Sequence, residues 1–127
     1  MVKVMFSWKD NPDKSAEECE AHYRSHHMKL ARQAFDGADG FRFLAFNRVR
    51  GHRVNDFNAP ESRPQESDID SYIELYFDSQ EQMEGAMKHP VLSLMFADHA
   101  NFMEVNAPAN IKIYAVDETV ILGQYPG

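Results

Sequence analysis

The chain has 127 residues, the size of one ordinary domain, and residues 1–127 are expected to form a single one. Its 43% apolar and 26% charged content excludes a largely disordered or fibrous chain. Thirteen basic against twenty acidic side chains leave a net charge of −7, which argues against nucleic acid as a partner, because phosphate binding needs a basic surface.

Val2 to Trp8 alternates apolar and polar residues and predicts a half-buried strand. Asp10-Asn11-Pro12-Asp13 reads as a turn, and Ser15-Ala16-Glu17-Glu18 has the form of a capping box. A helix is predicted from Ala16 to Phe35, closed by Asp36-Gly37 and Asp39-Gly40. Phe41 to Arg50 predicts a second strand. Arg42, Arg48, Arg50 and Arg53 are spread along this strand and the next loop, as on a solvated strand face. Residues 51–67 hold Pro60 and Pro64, show no periodicity and read as a long loop.

Ile69 to Phe77 predicts a third strand, with Ile73, Leu75 and Phe77 on one face and Tyr72, Glu74 and Tyr76 on the other. Ser79-Gln80-Glu81-Gln82 offers a second capping box before a short helix that Pro90 breaks near His89. Helical spacing resumes from Val91 to Val105, with Val91, Leu94, Met95, Phe102 and Val105 on one stripe. Ile111 to Ile121 predicts the last strand. The methionines at 83, 87, 95 and 103 read as core.

This order, β-α-β-β-α-β, implies an α+β ferredoxin-like fold, a four-stranded antiparallel sheet with helices on one face. Met5, Tyr72, Tyr76 and Tyr114 would lie on the other face. An apolar surface there predicts a homodimer, two sheets face to face with a small-molecule cavity between them. The single cysteine allows no internal disulfide. With no signal-like leader and no apolar run of spanning length, a cytoplasmic protein without membrane partners is expected.

Three places carry candidate chemistry. At about 100° per residue, Cys19, Tyr23, Leu30 and Ala34, joined by Ala16, define the buried stripe of the first helix, and His26 and His27 flank it about 50° to either side. A partly buried histidine titrates near neutrality and can carry protons; the alternative is one hydrogen-bonded boundary residue and one solvated one. Asp98 falls on an apolar face among Leu94, Met95 and Phe102, so it must be paired or hydrogen-bonded. A histidine of the first helix, backbone amides or a tyrosine hydroxyl could serve. Glu74 sits between Tyr72 and Tyr76, either as an acid or base in an aromatic pocket or paired across the sheet with Lys3 or an arginine. His22, His26 and His27 share one helix without a carboxylate at ligand spacing on it, and no phosphate loop or dinucleotide fingerprint is present, so neither metal nor cofactor is expected. Cys19 reads as a packing residue.

The stretch Glu18-Cys19-Glu20-Ala21-His22-Tyr23-Arg24-Ser25-His26-His27-Met28-Lys29-Leu30 resembles the signature of the EthD-like proteins. In that family an aromatic on the first helix is followed four residues later by histidine, then by proline and leucine. Tyr23, His27 and Leu30 match, whereas Lys29 stands where proline is usual. Glu74-Leu75-Tyr76-Phe77-Asp78-Ser79, and Ala97-Asp98 with Phe102 four residues on, are also similar to the family. The resemblance implies a dimeric α+β barrel and places His27 near a pocket, facing Asp98. Relatives by fold include isomerases, polyketide cyclases, decarboxylases, small monooxygenases and haem-handling proteins.

The expectation is therefore an isomerase-, lyase- or cyclase-type enzyme for a small apolar carbonyl, lactone or aromatic compound. His27 and Asp98 would be catalytic, with Tyr23, His26, Tyr72, Glu74 and Tyr76 around the substrate. The alternatives are a non-catalytic ligand carrier or oxygenase accessory, and a small monooxygenase or haem-handling barrel.

Overall fold

A computed structural model describes residues 1–51, 53–56, 59–64 and 67–124. Strands β1 (Val2–Trp8), β2 (Phe41–Arg48), β5 (Ser71–Phe77) and β6 (Lys112–Val116) form one sheet in the order β2-β5-β1-β6. Every neighbouring pair is antiparallel. This is the ferredoxin-like arrangement that the element order predicts.

The register sets the two faces. Met5 lies opposite Glu74 on one side and Tyr114 on the other, while Lys3 lies opposite Tyr76. Because side chains alternate along a strand, Val4, Phe6, Trp8, Ile73, Leu75 and Phe77 face the helices. One buried cluster joins Leu75 and Phe77 to Ala31, Ala34, Phe35, Met83, Val91, Leu92 and Met95. A second joins Trp8, Cys19, Tyr23, Phe102 and Met103.

The first helical segment follows its capping signal: Ser15 Oγ accepts from the Glu18 amide, and Glu18 Oε1 accepts from the Ser15 amide. It is not one regular α-helix. Helix α1 (Ala16–His22) passes through a π-helical turn (Tyr23–His27) into α2 (Met28–Phe35). The wide turn changes the phase of everything beyond it. The buried residues become Cys19, Tyr23, His27, Ala31, Ala34 and Phe35, a four-residue step through the turn that a 3.6-residue helix would let drift round its axis. His27 is therefore at the centre of the buried face rather than on its flank, His26 is exposed, Leu30 is half-buried and Ala16 is exposed. Gly37 and Gly40 close the segment with φ of 79° and 75°, the left-handed conformation that favours glycine.

Four further expectations are corrected. The segment 51–67 is not all loop: β3 (Arg53–Asp56) pairs antiparallel with β4 (Ala59–Pro64). These strands bond to each other outside the main sheet, so no core imposes an alternating pattern on them. At Ser79 only half of the capping box forms, because the Ser79 hydroxyl, which accepts from the Gln82 amide, also donates to Gln82 Oε1. After α3 (Gln80–Ala86), α4 (Val91–Asp98) tightens into a 3₁₀ turn (His99–Asn101), which ends the α-helical period. Leu94 (58% exposed) and Val105 therefore leave the buried stripe, and Met87 is exposed as well. Finally, β6 stops at Val116, short of Ile121.

Three of the four arginines are held by carboxylates. Arg42 binds Asp78, Arg50 binds Glu20, and Arg48 binds Asp10. Arg48 departs from the solvated-face reading, because its side chain is only 8% exposed. The side chain of Arg53 lies outside the described residues.

Candidate active site

An apolar cavity of about 260 Å³ lies between the sheet and the helices. Val4, Phe6, Trp8, Leu44, Ile73 and Leu75 form its floor, and Ala31, Phe35, Leu92 and Met95 form its roof. Met87, Phe96 and Ile113, all exposed, make its rim. Tyr23, His27 and His99 bring the polar atoms to an otherwise hydrocarbon lining.

His27 is 4% exposed and is fixed from several sides. Phe102 meets its ring edge-on at 4.7 Å, and Tyr23 and His99 stand at 5.0 and 5.3 Å between centroids. Its Nδ1 lies 2.9 Å from Asp98 Oδ2. Burial lowers the pKa of His27 below the ordinary 6.5, and the hydrogen bond to Asp98 opposes that only in part. The imidazole is thus neutral at neutral pH. An ionised carboxylate can only accept, so the single ring proton sits on Nδ1 and Nε2 keeps its lone pair. No hydrogen bond to Nε2 occurs among the described residues.

Asp98 is 5% exposed at the end of α4. Burial pushes its pKa up, but hydrogen bonds from Asn101, His22 and His27 together outweigh it and hold the carboxyl below its usual 3.8. His22 Nε2 stands 2.7 Å from Oδ1, and Asn101 Nδ2 donates to the same oxygen at 2.9 Å. His26 Nε2 is 3.7 Å from Oδ1 with its side chain 56% exposed, outside the cavity. His22, His26 and Asp98 are the three groups among the described residues whose donor atoms could share a metal ion. The carboxylate missing from helix α1 is supplied by α4.

This arrangement is joined by a residue that the helical periodicity did not single out. His99 lines the cavity, and burial, aided by His27, lowers its pKa to about 4. The signal available was its place directly after an aspartate that already broke an apolar stripe. Its position in the 3₁₀ turn, outside the helical period, hid it.

A family model for the EthD domain matches residues 11–106. The chain belongs to the EthD family. Similar solved structures have the same fold as this EthD domain at low sequence identity. An ethyl tert-butyl ether d (EthD) family protein from Bacillus halodurans C-125 is 18% identical, with 94% of this chain and 100% of that one covered and a TM-score of 0.61. A protein of Deinococcus radiodurans assigned as an antibiotic biosynthesis monooxygenase is 19% identical over 98% and 99% of the two chains, with a TM-score of 0.56. A dimeric protein of ferredoxin-like fold from Bacteroides fragilis NCTC 9343 is 15% identical over 94% and 95%, with a TM-score of 0.53. No curated protein sequence matches the chain. Among the described residues no helix is long and apolar enough to cross a membrane.

Of the expected site residues, Tyr23 and His27 line the cavity, and Asp98 stands behind His27, bonded to its Nδ1. Tyr72, Glu74 and Tyr76 are not part of that assembly. The cavity lies on the helix side, whereas the sheet alternation puts these three on the other face, where Tyr76 is itself only 3% exposed. There Lys3 Nζ binds Glu74 and Glu118, each at 2.7 Å, and the Tyr76 hydroxyl donates to Glu118. Burial lowers the basicity of Lys3, but hydrogen bonds to Glu118, Glu74 and Tyr76 outweigh it and hold the ammonium well above its ordinary value. The cross-sheet pairing of Glu74 with Lys3 is the one present. Cys19 is buried, which raises its thiol pKa, and it packs among Trp8 and Tyr23.

Proposed function

We propose that this EthD domain is an enzyme that moves a proton on a small, largely apolar carbonyl, lactone or aromatic compound, with His27 as the base. One observation carries the reading: an imidazole that lines a hydrocarbon cavity is anchored through Nδ1 to a buried carboxylate, which leaves Nε2 as its basic atom. Nε2 takes a proton from a carbon next to the carbonyl, and the electron pair moves onto the oxygen as an enolate. The proton then returns at a different atom, or the enolate expels a leaving group or closes a ring. Asp98 holds the ring in the required tautomer and stabilises the imidazolium, as the carboxylate does in histidine-based triads. His99, 5.3 Å from His27 between centroids, offers a second neutral imidazole whose N–H can bond the developing oxyanion. A positioned base of this kind supplies about 10²–10⁴-fold in rate.

A non-catalytic carrier of the same ligands is the second reading, favoured by how few polar atoms line the cavity. Thermal-shift screening of small aromatic and carbonyl compounds supplies ligands for both. His27→Asn, which keeps a donor toward Asp98 but lacks Nε2, should then abolish turnover of a binding compound without loss of fold. Undiminished turnover in that variant removes the base; binding with no substrate consumed by the wild type favours the carrier.

We also infer that two chains pair through the open sheet face, where Met5 and Tyr72 are half-buried and Tyr114 is 45% exposed. Sedimentation equilibrium at micromolar concentration should give twice the mass of one chain, and a monomer there would end the idea.

A further inference from the structure

His22 and His26 lie one wide turn apart, with ring centroids 5.2 Å from each other. Both direct Nε2 at the same oxygen, Asp98 Oδ1, at 2.7 and 3.7 Å. All three donor atoms fall within 4.8 Å of one another. We propose that His22, His26 and Asp98 bind a divalent first-row transition ion of the zinc type, on the solvent side of the histidine cluster and outside the apolar cavity.

Two imidazoles and one carboxylate are borderline-soft and hard donors in the mixture that suits zinc, nickel or cobalt(II) and does not suit calcium or magnesium. Ligands about 2.1 Å from a tetrahedral zinc stand about 3.4 Å apart. The 3.7 Å between His26 and Asp98 is already close to that spacing. The 2.7 Å between His22 and Asp98 is a hydrogen bond, so the ion replaces the proton, which moves to His22 Nδ1, and the pair parts by a fraction of an ångström.

The carboxylate is set for the task. His27 fixes its other oxygen at 2.9 Å and Asn101 bonds Oδ1 at 2.9 Å, the outer hydrogen bonds that orient a ligating carboxylate. His26, 56% exposed, leaves an entry path and room for water as the remaining ligand. His22 and His26 are four residues apart, a spacing that puts two side chains on one helix face, while His27 points in.

The site shares Asp98 with the acid–base reading but does not rest on it, and the test keeps the two apart. Tag-free protein is titrated calorimetrically with zinc chloride, and cobalt(II) binding is followed by its visible absorption and by paramagnetic broadening of amide signals. The expected result is one saturable equivalent, with broadening confined to residues near 22–27 and 97–101. His22→Ala and His26→Ala should each weaken zinc at least about tenfold, the lower end of what even an outer-sphere loss costs. His26 is a surface residue, so its removal leaves the metal-free protein folded, as thermal unfolding in chelator will show. His27→Asn should hold zinc within a few-fold of wild type while lacking the proposed base. Absence of a saturable equivalent, or wild-type affinity in both alanine variants, overturns the site.

Discussion

Replacing His99 by phenylalanine isolates the electrostatic character of the cavity. In the folded protein burial holds the His99 pKa at about 4, against an ordinary 6.5. Between these values the unfolded chain binds a proton that the folded chain refuses. The contribution of His99 is therefore fully present above about pH 6.5 and is lost as pH falls toward about 4. At about 1.4 kcal/mol for each tenfold change in proton affinity, the loss amounts to up to about 3 kcal/mol. Phenylalanine keeps an aromatic ring against Phe6, Phe96 and Phe102 and removes the titration. Urea unfolding is readable through Trp8, the chain's one tryptophan, which is 1% exposed and packed on Tyr23. Measured from pH about 7.5 down to about 4, the wild type should lose up to about 3 kcal/mol more stability than the variant over this range. His27, whose pKa is also lowered, destabilises both proteins alike on acidification, so only the difference between the curves is diagnostic. Parallel curves would mean that His99 is hydrated in the folded protein and refute the reasoning.

Four other substitutions test separate parts of the molecule. Asp98→Asn should reverse the His27 tautomer to Nε2–H, because a carbonyl oxygen that keeps His22 and Asn101 turns the amide nitrogen toward His27; nitrogen-15 spectra of the imidazole read this directly, and an unchanged tautomer contradicts it. Weaker, uncharged bonds at that site should also lower stability by about 2 kcal/mol. Phe102→Ala should cost about 3–5 kcal/mol in denaturant unfolding, since the side chain is 1% exposed between Trp8, Tyr23 and His27, whereas Leu94→Ala, at 58% exposure, should stay within about 0.5 kcal/mol. Lys3→Met leaves Glu74 and Glu118 without their shared cation. Lys3 and Tyr76 hold the Glu118 carboxyl below its ordinary 4.5, against burial. The resulting stability is present above that value and is lost as pH falls through the folded pKa, so the gap between wild type and variant should narrow on acidification.

The fold was legible because β1 alternates, the other main strands carry apolar and aromatic runs bounded by turn residues, and the helices carry start or stop signals. Asp98 was legible as a charge on an apolar face. The place of His27 was not, because a fixed 100° step per residue cannot anticipate a π-helical turn; with the turn, Tyr23, His27 and Ala31 fall in line. The cavity on the helix side was not legible either, because alternation separates the two faces of a sheet but does not reveal that the helices stand off far enough to leave a space. The hairpin at β3 and β4 left no trace in hydrophobicity because neither strand joins the main sheet.

The wide turn at Tyr23–His27 also ties the histidines to folding itself. Winding those five residues into an ordinary α-helical turn, with the chain length unchanged, would rotate Met28–Phe35 by about 100°, lifting Ala31, Ala34 and Phe35 away from Leu75 and Phe77. Any such straightening would be resisted by packing before it reached the imidazoles, so the geometry at Asp98 is guarded by side chains that never touch it.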